Sequence, residues 1–479
     1  MQLDDLNVRA MSPTWTRRDV LKTIAATATT PVLAYAAQPR PAVAIIGAGM
    51  AGVSAAWLLD GQRDVVLLES RDSIGGNVRS LDVELDGHQF AVDLGAQFFH
   101  PGPYPVYTAL LESLGLFPPD VAAPAPSAAF PASITIARWG EAPPRFVSPI
   151  IPGRLWPVFK AWNLPGLQAL FTAFSAAKAR EENDETWSLT LDDWLPTLGL
   201  SQKQWEGIIL PWAASLFSGD IEQARGMSAR AAMLFAAKAL PDALTDQVVY
   251  YVLRNGLIEP MRRMLEQCST VDVVTNATVS SVSRGGNHRF TVHCADGRSF
   301  AVDDVVFAAS GPGTLRLLEG IPASTAEQSA LRGIEFHYAS LTLHTDPIYA
   351  TANSMYWSFL NCQLHGTSFC ESSMWLADVV TGAPPETAAK LWKSWTTHRL
   401  IQPRQVLHQA DFMHMLPTPS SIRAQTETRR LQGRTGLWFA GGYLFPYDAQ
   451  ETALLSAIEV ANGLNGGSTP RGDALRSSM

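Results

Sequence analysis

Near its start, the chain alternates short apolar runs with glycine-rich turns. Residues 41–46 and 65–68 are two such runs, and the apolar residues at 53–59 have helical spacing. Runs of this length bounded by glycine are typical of buried parallel strands. The pattern therefore predicts a strand-helix-strand unit at the beginning of an α/β fold.

Two later regions repeat the strand pattern. Residues 436–442 form an apolar run that ends in a glycine turn, and a helix is predicted from 450 to about 464. A meander is predicted from three runs with polar turns at Gly285–Asn287 and at Asp296–Gly297, namely 273–283, 290–294 and 298–308. Its last apolar residues are expected to return to the first sheet.

A glycine turn joins the first strand to the first helix. Gly47, Gly49 and Gly52 have the GxGxxG spacing. The first makes the tight turn, the second lets backbone approach a pyrophosphate, and the third lets the helix pack against the strand. Met50 and Ala51 begin the helix, where unpaired N–H groups can bind phosphate. The spacing predicts a dinucleotide site.

Residues after the second strand indicate which dinucleotide binds. Glu69 ends that strand, where a carboxylate can accept from ribose hydroxyls, and Ser70 follows it. Arg71 then supplies a cation. A second glycine turn, which an NAD domain does not need, is formed by Gly75, Gly76, Asn77 and Val78. We therefore expect FAD rather than NAD.

Two further segments complete the expected FAD site. A hairpin over 81–92, turning at Asp86–Gly87, leads into a glycine-bearing segment. The second segment lies at the far end of the chain. Their candidate cofactor-binding residues are Gly95, Ala96, Gln97 and Phe98 in the first, and Gly441, Gly442, Gln450, Glu451 and Thr452 in the second.

These motifs resemble the flavin amine oxidase superfamily, which includes monoamine oxidases, protoporphyrinogen oxidases and phytoene desaturases. Arg71 with Gly75–Gly76 is similar to its RxxxGG element, and residues 93–98 are similar to its DxGAxW segment. The resemblance implies that Val279 and Ala309 also contact the cofactor. It further implies that the helix beginning at Gln450 points at the N1/C2=O edge of the flavin, where its dipole stabilises negative charge.

Within the superfamily, the likeness is strongest to FAD oxidoreductases found beside cyclopropane fatty-acid synthases. The motifs that carry it are Gly75–Gly76–Asn77, Tyr104–Pro105, Leu343–Asp346 followed by Trp357–Ser358, and Phe439–Gly441 followed by Glu451. No cysteine or histidine lies in 439–451. The FAD is therefore expected to be non-covalent.

The resemblance implies a discontinuous Rossmann-type FAD-binding domain and an α+β substrate-binding domain. The predicted FAD-binding domain comprises 40–115, 250–315 and 430–466, and the substrate domain comprises 116–249 and 316–429. Residues 467–479 are expected to form a disordered tail.

Two departures from the family affect the expected chemistry. Amine oxidases commonly carry a lysine, water-bridged to flavin N5, on a strand that corresponds to 336–344, and this stretch contains none. The aromatic-cage position before the conserved glutamate is Ala449. Amine oxidation is thus implied by the superfamily, although the expected site residues are missing.

Candidate catalytic groups are two histidines. In a strand, Thr342, His344 and Asp346 share one face, so the carboxylate could orient the imidazole as a base. His100, after the flavin-side turn, is the other candidate. For each, the alternative is a histidine without a catalytic role. Aromatic residues that could line an apolar substrate cavity are Phe98, Phe99, Tyr356, Trp357, Trp375, Tyr443, Phe445 and Tyr447.

Three functions fit these residues. The first is oxidation of a small or apolar molecule by hydride transfer to flavin N5, with oxygen or an envelope electron acceptor as oxidant. The second is desaturation or double-bond isomerisation of a lipid-like molecule. The third is a non-catalytic FAD-loaded binding or assembly protein.

The first residues have the features of an export signal. Arg17–Arg18 precede a weakly apolar stretch that ends in small residues near 34–36. This pattern resembles a twin-arginine signal over 1–37, which carries folded, cofactor-loaded proteins to the periplasm. No apolar run is long enough for a transmembrane segment.

Composition excludes several other classes. The net charge is -8 without a basic cluster, which argues against nucleic acid as a partner. The cysteines have neither CxxC nor Cys/His spacing, so no metal site is expected. Cys362 and Cys370 could form a disulfide in an oxidising compartment, but two buried thiols are the simpler interpretation.

Overall fold

The computed structural model describes residues 40–148, 160–182, 188–241, 247–285, 289–366 and 368–477. The predicted signal at 1–37 lies outside these residues, as do Gly286 and Asn287 of a predicted turn. Among the described residues, no helix is both long and apolar enough to cross a membrane.

The strands are numbered in chain order. They are β1 Ala42–Ile46, β2 Asp64–Leu68, β3 Ser80–Leu85, β4 His88–Asp93, β5 Ser127–Pro131, β6 Ile134–Arg138, β7 Phe146–Val147, β8 Val249–Leu253, β9 Val271–Val274, β10 Val279–Arg284, β11 Phe290–Cys294, β12 Ser299–Val302, β13 Asp304–Phe307, β14 Phe336–His344, β15 Leu360–His365, β16 Phe369–Trp375, β17 Trp392–Trp395, β18 Val406–Met415 and β19 Leu437–Phe439.

The α-helices are distributed along the whole described chain. They are Met50–Leu59, Pro105–Ser113, Leu164–Glu182, Leu191–Trp194, Gln202–Gln204, Leu210–Leu216, Ile221–Gly226, Ala229–Ala239, Glu259–Glu266, Gly311–Glu319, Thr325–Arg332, Pro385–Ala388, Pro419–Arg430, Gln450–Leu464 and Pro470–Ser477.

A parallel sheet organises the predicted dinucleotide site. Its order is β19-β13-β1-β2-β9, and β1 pairs in parallel with both β2 and β13. Most apolar side chains of β1, β2, β13 and β19 are buried, whereas Val273 on the edge strand β9 is exposed. Since the carboxyl ends of parallel strands share one edge, the glycine turns that follow β1 and β19 meet there. This sheet confirms the predicted α/β class.

The predicted strand over 273–283 is wrong as one element. The structure divides it into β9, which extends the parallel sheet beside β2, and β10, which begins an antiparallel sheet with β11 and β12. The chain turns at Asn276, whose φ is 50°. The backbone N–H groups of Asn276 and Ala277 donate to the carbonyls of Arg71 and Glu69, which holds this turn against the end of β2.

A seven-stranded sheet carries most of the remaining core. Its order is β18-β14-β17-β16-β15-β6-β7, antiparallel except for the β6–β15 pair. Helices Leu164–Glu182, Leu210–Leu216 and Ala229–Ala239 contribute to the same hydrophobic cluster. This mixed unit agrees with the α+β layer expected beside the first sheet, and the exact domain boundaries stay a prediction.

The hairpin before the flavin-side segment forms as predicted. β3 pairs with β4 from Ser80–Asp93 to Leu85–His88. Asp86 and Gly87 have φ values of 54° and 76°. Two consecutive positive φ values produce the turn that matches the twist of the strands.

The predicted disordered tail is wrong for the described residues to 477. Pro470–Ser477 is a helix, and its Leu475 side chain is 2% exposed. The Arg471 guanidinium lies 4.9 Å from the centre of the Trp57 ring and donates to the Trp57 carbonyl. These contacts hold the segment against helix Met50–Leu59.

Candidate functional site

Two glycine turns from separate parts of the chain form one cradle. Gly49 bridges Gly75, and the Gly75 N–H donates to the Ala48 carbonyl at 2.9 Å. A Cβ added at Gly76 would lie 2.8 Å from the Cα of Gly49. Only glycine backbone can approach this closely. The result is an open backbone surface at the N-terminus of helix Met50–Leu59, as a pyrophosphate requires.

The third glycine of the motif is also required by contact. A Cβ on Gly52 would lie 1.9 Å from the Gly47 carbonyl oxygen. Gly47 itself has a φ of 109°, which strongly favours glycine. The sequence-based roles of these glycines therefore agree with the contacts they make.

A single cavity of about 540 Å³ extends from the cradle into the region beside the seven-stranded sheet. The predicted cofactor-binding residues that line it are Gly49, Met50, Ala51, Gly75, Gly76, Asn77, Val78, Gly95, Ala96, Gln97, Phe98, Ala309, Gly441, Gly442 and Gln450. These residues come from five segments that are remote in sequence. The fold brings them to one wall, as an extended dinucleotide requires.

Two glutamine side chains support the fit of a cofactor. Gln97 Oε1 and Gln450 Nε2 are buried and have no hydrogen-bond partner among the described residues. Both side chains line the cavity. An unpaired buried acceptor and an unpaired buried donor are unfavourable, so these atoms call for a polar ligand. The pyrimidine edge of a flavin offers both donors and acceptors.

The remaining predicted residues lie outside the cavity lining. They are Gly47, Gly52, Glu69, Ser70, Arg71, Val279, Glu451 and Thr452. The Glu69 carboxylate is 4% exposed and accepts from the N–H groups of Ala48 and Arg71 at 2.9 and 3.0 Å. Its proposed contact with a ribose stays a prediction.

Glu451 has a different environment from the predicted flavin contact. Its carboxylate accepts from the N–H groups of Val106 and Tyr107 at 3.2 and 2.7 Å, at the start of helix Pro105–Ser113. Burial raises the pKa of Glu451 to about 7. Thr452 accepts from the Ala449 N–H at 3.0 Å. In the described contacts, both residues organise the helix terminus rather than the cavity wall.

The histidines proposed as catalytic groups do not line the cavity. His344 is fully buried, and its Nε2 is 2.8 Å from Ser394 Oγ. The Asp346 carboxylate accepts from the backbone N–H groups of Arg404 and Gln405. A loop thus holds this carboxylate, and the proposed role of Asp346 in orienting the imidazole stays a prediction. His100 accepts from the Gly102 N–H at 3.0 Å and packs against Tyr250.

The aromatic residues divide between cavity and core. Phe98, Tyr443 and Tyr447 line the cavity, as does Ala449 at the expected cage position. Those outside its lining are Phe99, Tyr356, Trp357, Trp375 and Phe445. Trp357 and Trp375, for example, pack edge-to-face with centroids 5.5 Å apart. For these residues the cavity interpretation is wrong, because their rings pack elsewhere: Phe99 is fully buried, and Phe445 lies under the Arg429 guanidinium.

Sequence reasoning missed a buried lysine. Lys393 on β17 is 1% exposed, and its Nζ donates to the Asp93 carbonyl at 3.0 Å. Burial lowers the pKa of Lys393 and raises that of the nearby Asp93 carboxyl. Asp93 directly precedes the flavin-side segment, but Lys393 does not line the cavity. A single lysine between Trp392 and Ser394, in a strand without other charges, is the sequence feature that could have indicated its burial.

Two cavity groups were also missed. Asp448 lines the cavity beside Gly442, where its side chain stays solvent-exposed while desolvation by the surrounding protein raises its pKa to about 6. His414 on β18 also lines the cavity. Asp448 precedes Ala449, a position that the sequence had marked, whereas His414 belongs to no motif. Among the described residues, no cluster of three or more His, Cys, Asp or Glu side chains could hold a metal ion.

Residues 50–343, more than half of the chain, match the family of flavin containing amine oxidoreductases. The chain belongs to this family. The assignment makes it an FAD-dependent oxidoreductase, and the glycine cradle fits the cofactor that the family uses. The resemblance drawn from the sequence motifs is confirmed.

Individual relatives agree with the family but leave the substrate open. A segment of 68 residues is 46% identical to tryptophan 2-monooxygenase of Pseudomonas savastanoi, and it covers 14% of this chain and 12% of that protein. A putrescine oxidase bound to putrescine has a TM-score of 0.59 at 15% identity, over 89% of this chain and 99% of that one. A CLA-producing fatty acid isomerase from P. acnes has a TM-score of 0.59 at 12% identity, over 87% and 97%. These structures share the fold.

Proposed function

We propose that this flavoenzyme oxidises a small, mainly apolar molecule by hydride transfer to flavin N5 from a C–H bond, which in an amine is the one next to nitrogen. The observation that carries the proposal is the continuity of one cavity with both the glycine cradle and a set of apolar side chains. Bound FAD supplies the two-electron acceptor. The residues of this chain enclose the substrate and keep water away from it.

The cavity wall beside Gln97 is aromatic. Phe98 stacks on Tyr250 with ring centroids 4.2 Å apart, and Phe235 and Phe359 contact Phe98 edge-to-face. Rings held in this way are rigid and bury apolar ligands effectively. The wall therefore favours a substrate with an alkyl or aromatic body.

Charged anchors are scarce in the cavity. No lysine or arginine of the described residues lines it, and Asp448 is its one carboxylate side chain. Burial of a charged substrate group without a partner is strongly unfavourable. A substrate with a negatively charged group is therefore disfavoured, and for an amine the neutral form is the one that has a lone pair for oxidation.

The test is an anaerobic titration of the holoenzyme with panels of amines, amino acids and unsaturated lipids, followed by the visible absorbance of the flavin. Bleaching by a neutral-amine or alkyl substrate, reversed by air, is the expected result. A flavin that no member of these panels bleaches would contradict the oxidation proposal.

The second candidate function is desaturation or double-bond isomerisation of a lipid-like molecule. It is favoured by the apolar lining together with the absence of lysine from residues 336–344. The shared fold with a fatty acid isomerase is compatible with it. Isomerisation would give products with moved double bonds and no net consumption of oxidant, which chromatography of the same incubations distinguishes.

We also propose export through the twin-arginine route, with oxygen or an envelope electron acceptor reoxidising the flavin. The paired Arg17–Arg18 before a weakly apolar stretch supports it. Replacing both arginines by lysine keeps the charge and is expected to leave the protein in the cytoplasm of a bacterial host. The control is Arg9→Lys, which lies outside the pair and is expected to be exported like wild type. Periplasmic accumulation of the double variant would contradict this route.

A further inference from the structure

A histidine of the cavity wall has no assigned partner. His414 lies on β18, where it is paired across the strands with His337 on β14. Its ring contacts the Trp395 ring edge-to-face with centroids 5.1 Å apart, and the His337 ring is 5.8 Å away. Trp395, Phe412 and Met413 line the same part of the cavity. His414 is therefore a polar group in apolar surroundings.

The hydrogen bonding of the two histidines differs. His337 Nε2 donates to the Phe217 carbonyl, which fixes that ring. His414 Nε2 is buried and has no partner among the described residues. Of the two His414 ring nitrogens, only Nε2 is both enclosed and unpaired, which leaves Nδ1 as the nitrogen that can meet a ligand in the cavity.

The protonation state of His414 follows from its surroundings. Burial, and secondarily the neighbouring His337, lowers the pKa of His414 to about 4. The ring is therefore neutral near pH 7. An enclosed bare lone pair costs less than an enclosed N–H without an acceptor, so the proton is placed on Nδ1. His414 then presents one N–H donor to the cavity.

We propose that His414 is a substrate-binding residue that donates a hydrogen bond from Nδ1 to one uncharged acceptor on an otherwise apolar substrate. The acceptor class comprises a neutral amine, a hydroxyl and a carbonyl. This inference rests on the proposed function, because it assumes that the apolar cavity binds substrate. It adds the polar group that orients the molecule against the β14–β18 strands.

The experiment measures binding rather than turnover. Holoenzyme is titrated with benzyl alcohol, toluene and benzoate, and the change in the flavin absorbance spectrum gives each Kd. Wild type is expected to bind benzyl alcohol roughly tenfold more tightly than toluene, the effect of one net hydrogen bond. Benzoate is expected to bind more weakly than benzyl alcohol, because no cationic side chain of the described residues lines the cavity.

His414→Phe removes the donor and keeps an aromatic ring. It is expected to abolish the preference for benzyl alcohol and to leave the Kd of toluene within about twofold. His414→Asn retains a donor and is expected to keep part of the preference. The matched control is His408→Phe, because His408 lies on the same strand but is exposed. FAD content and Tm establish that each variant is folded.

The outcomes separate the two proposals. An unchanged preference in folded His414→Phe, or no preference in wild type, would overturn the role of His414 and leave the apolar cavity intact. A wild-type flavin that responds to none of the three probes would contradict the apolar substrate cavity itself, and the role of His414 with it.

Discussion

At the residue scale, the cradle depends on glycines, whose lack of a side chain lets two backbone segments touch. Gly52 packs its Cα against the Gly47 carbonyl, and Gly76 packs against Gly49. Each contact joins two backbone segments at a distance that a methyl group would prevent. The geometry of the predicted pyrophosphate site is thus set by exclusion of Cβ atoms, and the helix N-terminus supplies a positive dipole end there.

Gly52→Ala is expected to lose FAD. The new Cβ would lie 1.9 Å from the Gly47 carbonyl oxygen, so backbone must shift, and the cost in free energy of unfolding is expected to be about 3 kcal/mol or more. The control is Gly226→Ala, because no atom lies within 4 Å of that Cβ. The ratio of FAD to protein and the Tm provide the measurement. Wild-type FAD content in Gly52→Ala would contradict the steric argument.

Glu451 makes stability depend on pH. Its pKa in the folded protein is about 7, above its ordinary 4.5, because burial disfavours the carboxylate. Its contribution to stability is therefore fully present below pH 4.5 and is lost as the pH rises through about 7. Glu451→Gln is expected to remove up to about 3 kcal/mol of this decline. Denaturant unfolding of both proteins at pH 4.5 and 7.5 measures it, and parallel pH profiles would contradict it.

At the element scale, helix termini and strand ends converge on the cavity. Helices Met50–Leu59 and Gln450–Leu464 pack on each other, and each begins beside a glycine turn. The last helix, Pro470–Ser477, supports this pair from outside through Arg471 and Leu475. The segment after Gly466, whose composition predicted disorder, therefore packs in the core around Trp57.

Leu475→Ala tests whether the last helix contributes to stability. Since Leu475 is 2% exposed, truncation is expected to cost about 2 kcal/mol in free energy of unfolding. Ser477→Ala on the exposed face of the same helix is expected to change it by less than about 0.5 kcal/mol. Chemical denaturation of the three proteins is the measurement. Equal stabilities would mean that the segment does not pack in solution.

At the scale of the whole molecule, Lys393 connects the seven-stranded sheet to the flavin-side segment. Its Nζ donates to the Asp93 carbonyl, while the Asp93 carboxylate accepts from the Leu257 N–H at 2.9 Å and from Ser80 Oγ. A buried ammonium that donates to the backbone of Asp93, and that also attracts the Asp93 carboxylate, therefore connects the seven-stranded sheet to the segment that leads into Gly95.

A double-mutant cycle measures this connection. Lys393→Met and Asp93→Asn are each expected to cost about 3 kcal/mol, because each leaves a buried partner uncompensated. The double variant is expected to cost less than the sum by at least about 1 kcal/mol. The exposed pair Arg332–Glu319, 3.3 Å apart, serves as the control cycle and should couple by less than about 0.5 kcal/mol. Additive effects at Lys393 and Asp93 would contradict the connection.

Local sequence determined the parts of this protein that depend on backbone shape. Glycine spacing, short apolar runs and the Asp86–Gly87 turn predicted the parallel strands, the cradle and the hairpin, because each follows from the conformations available to neighbouring residues. The same reasoning supported the family and FAD.

Only the tertiary structure decided which polar side chains reach the cavity. His344 has the pattern of a strand-end base, yet its ring is hydrogen-bonded to Ser394, and the carboxylate of Asp346 is hydrogen-bonded to a loop. His414 belongs to no motif, but it lines the cavity. Side-chain burial depends on contacts between residues far apart in sequence. Periodicity along one strand therefore identifies a face, and the packing of the other strands and helices determines what that face meets.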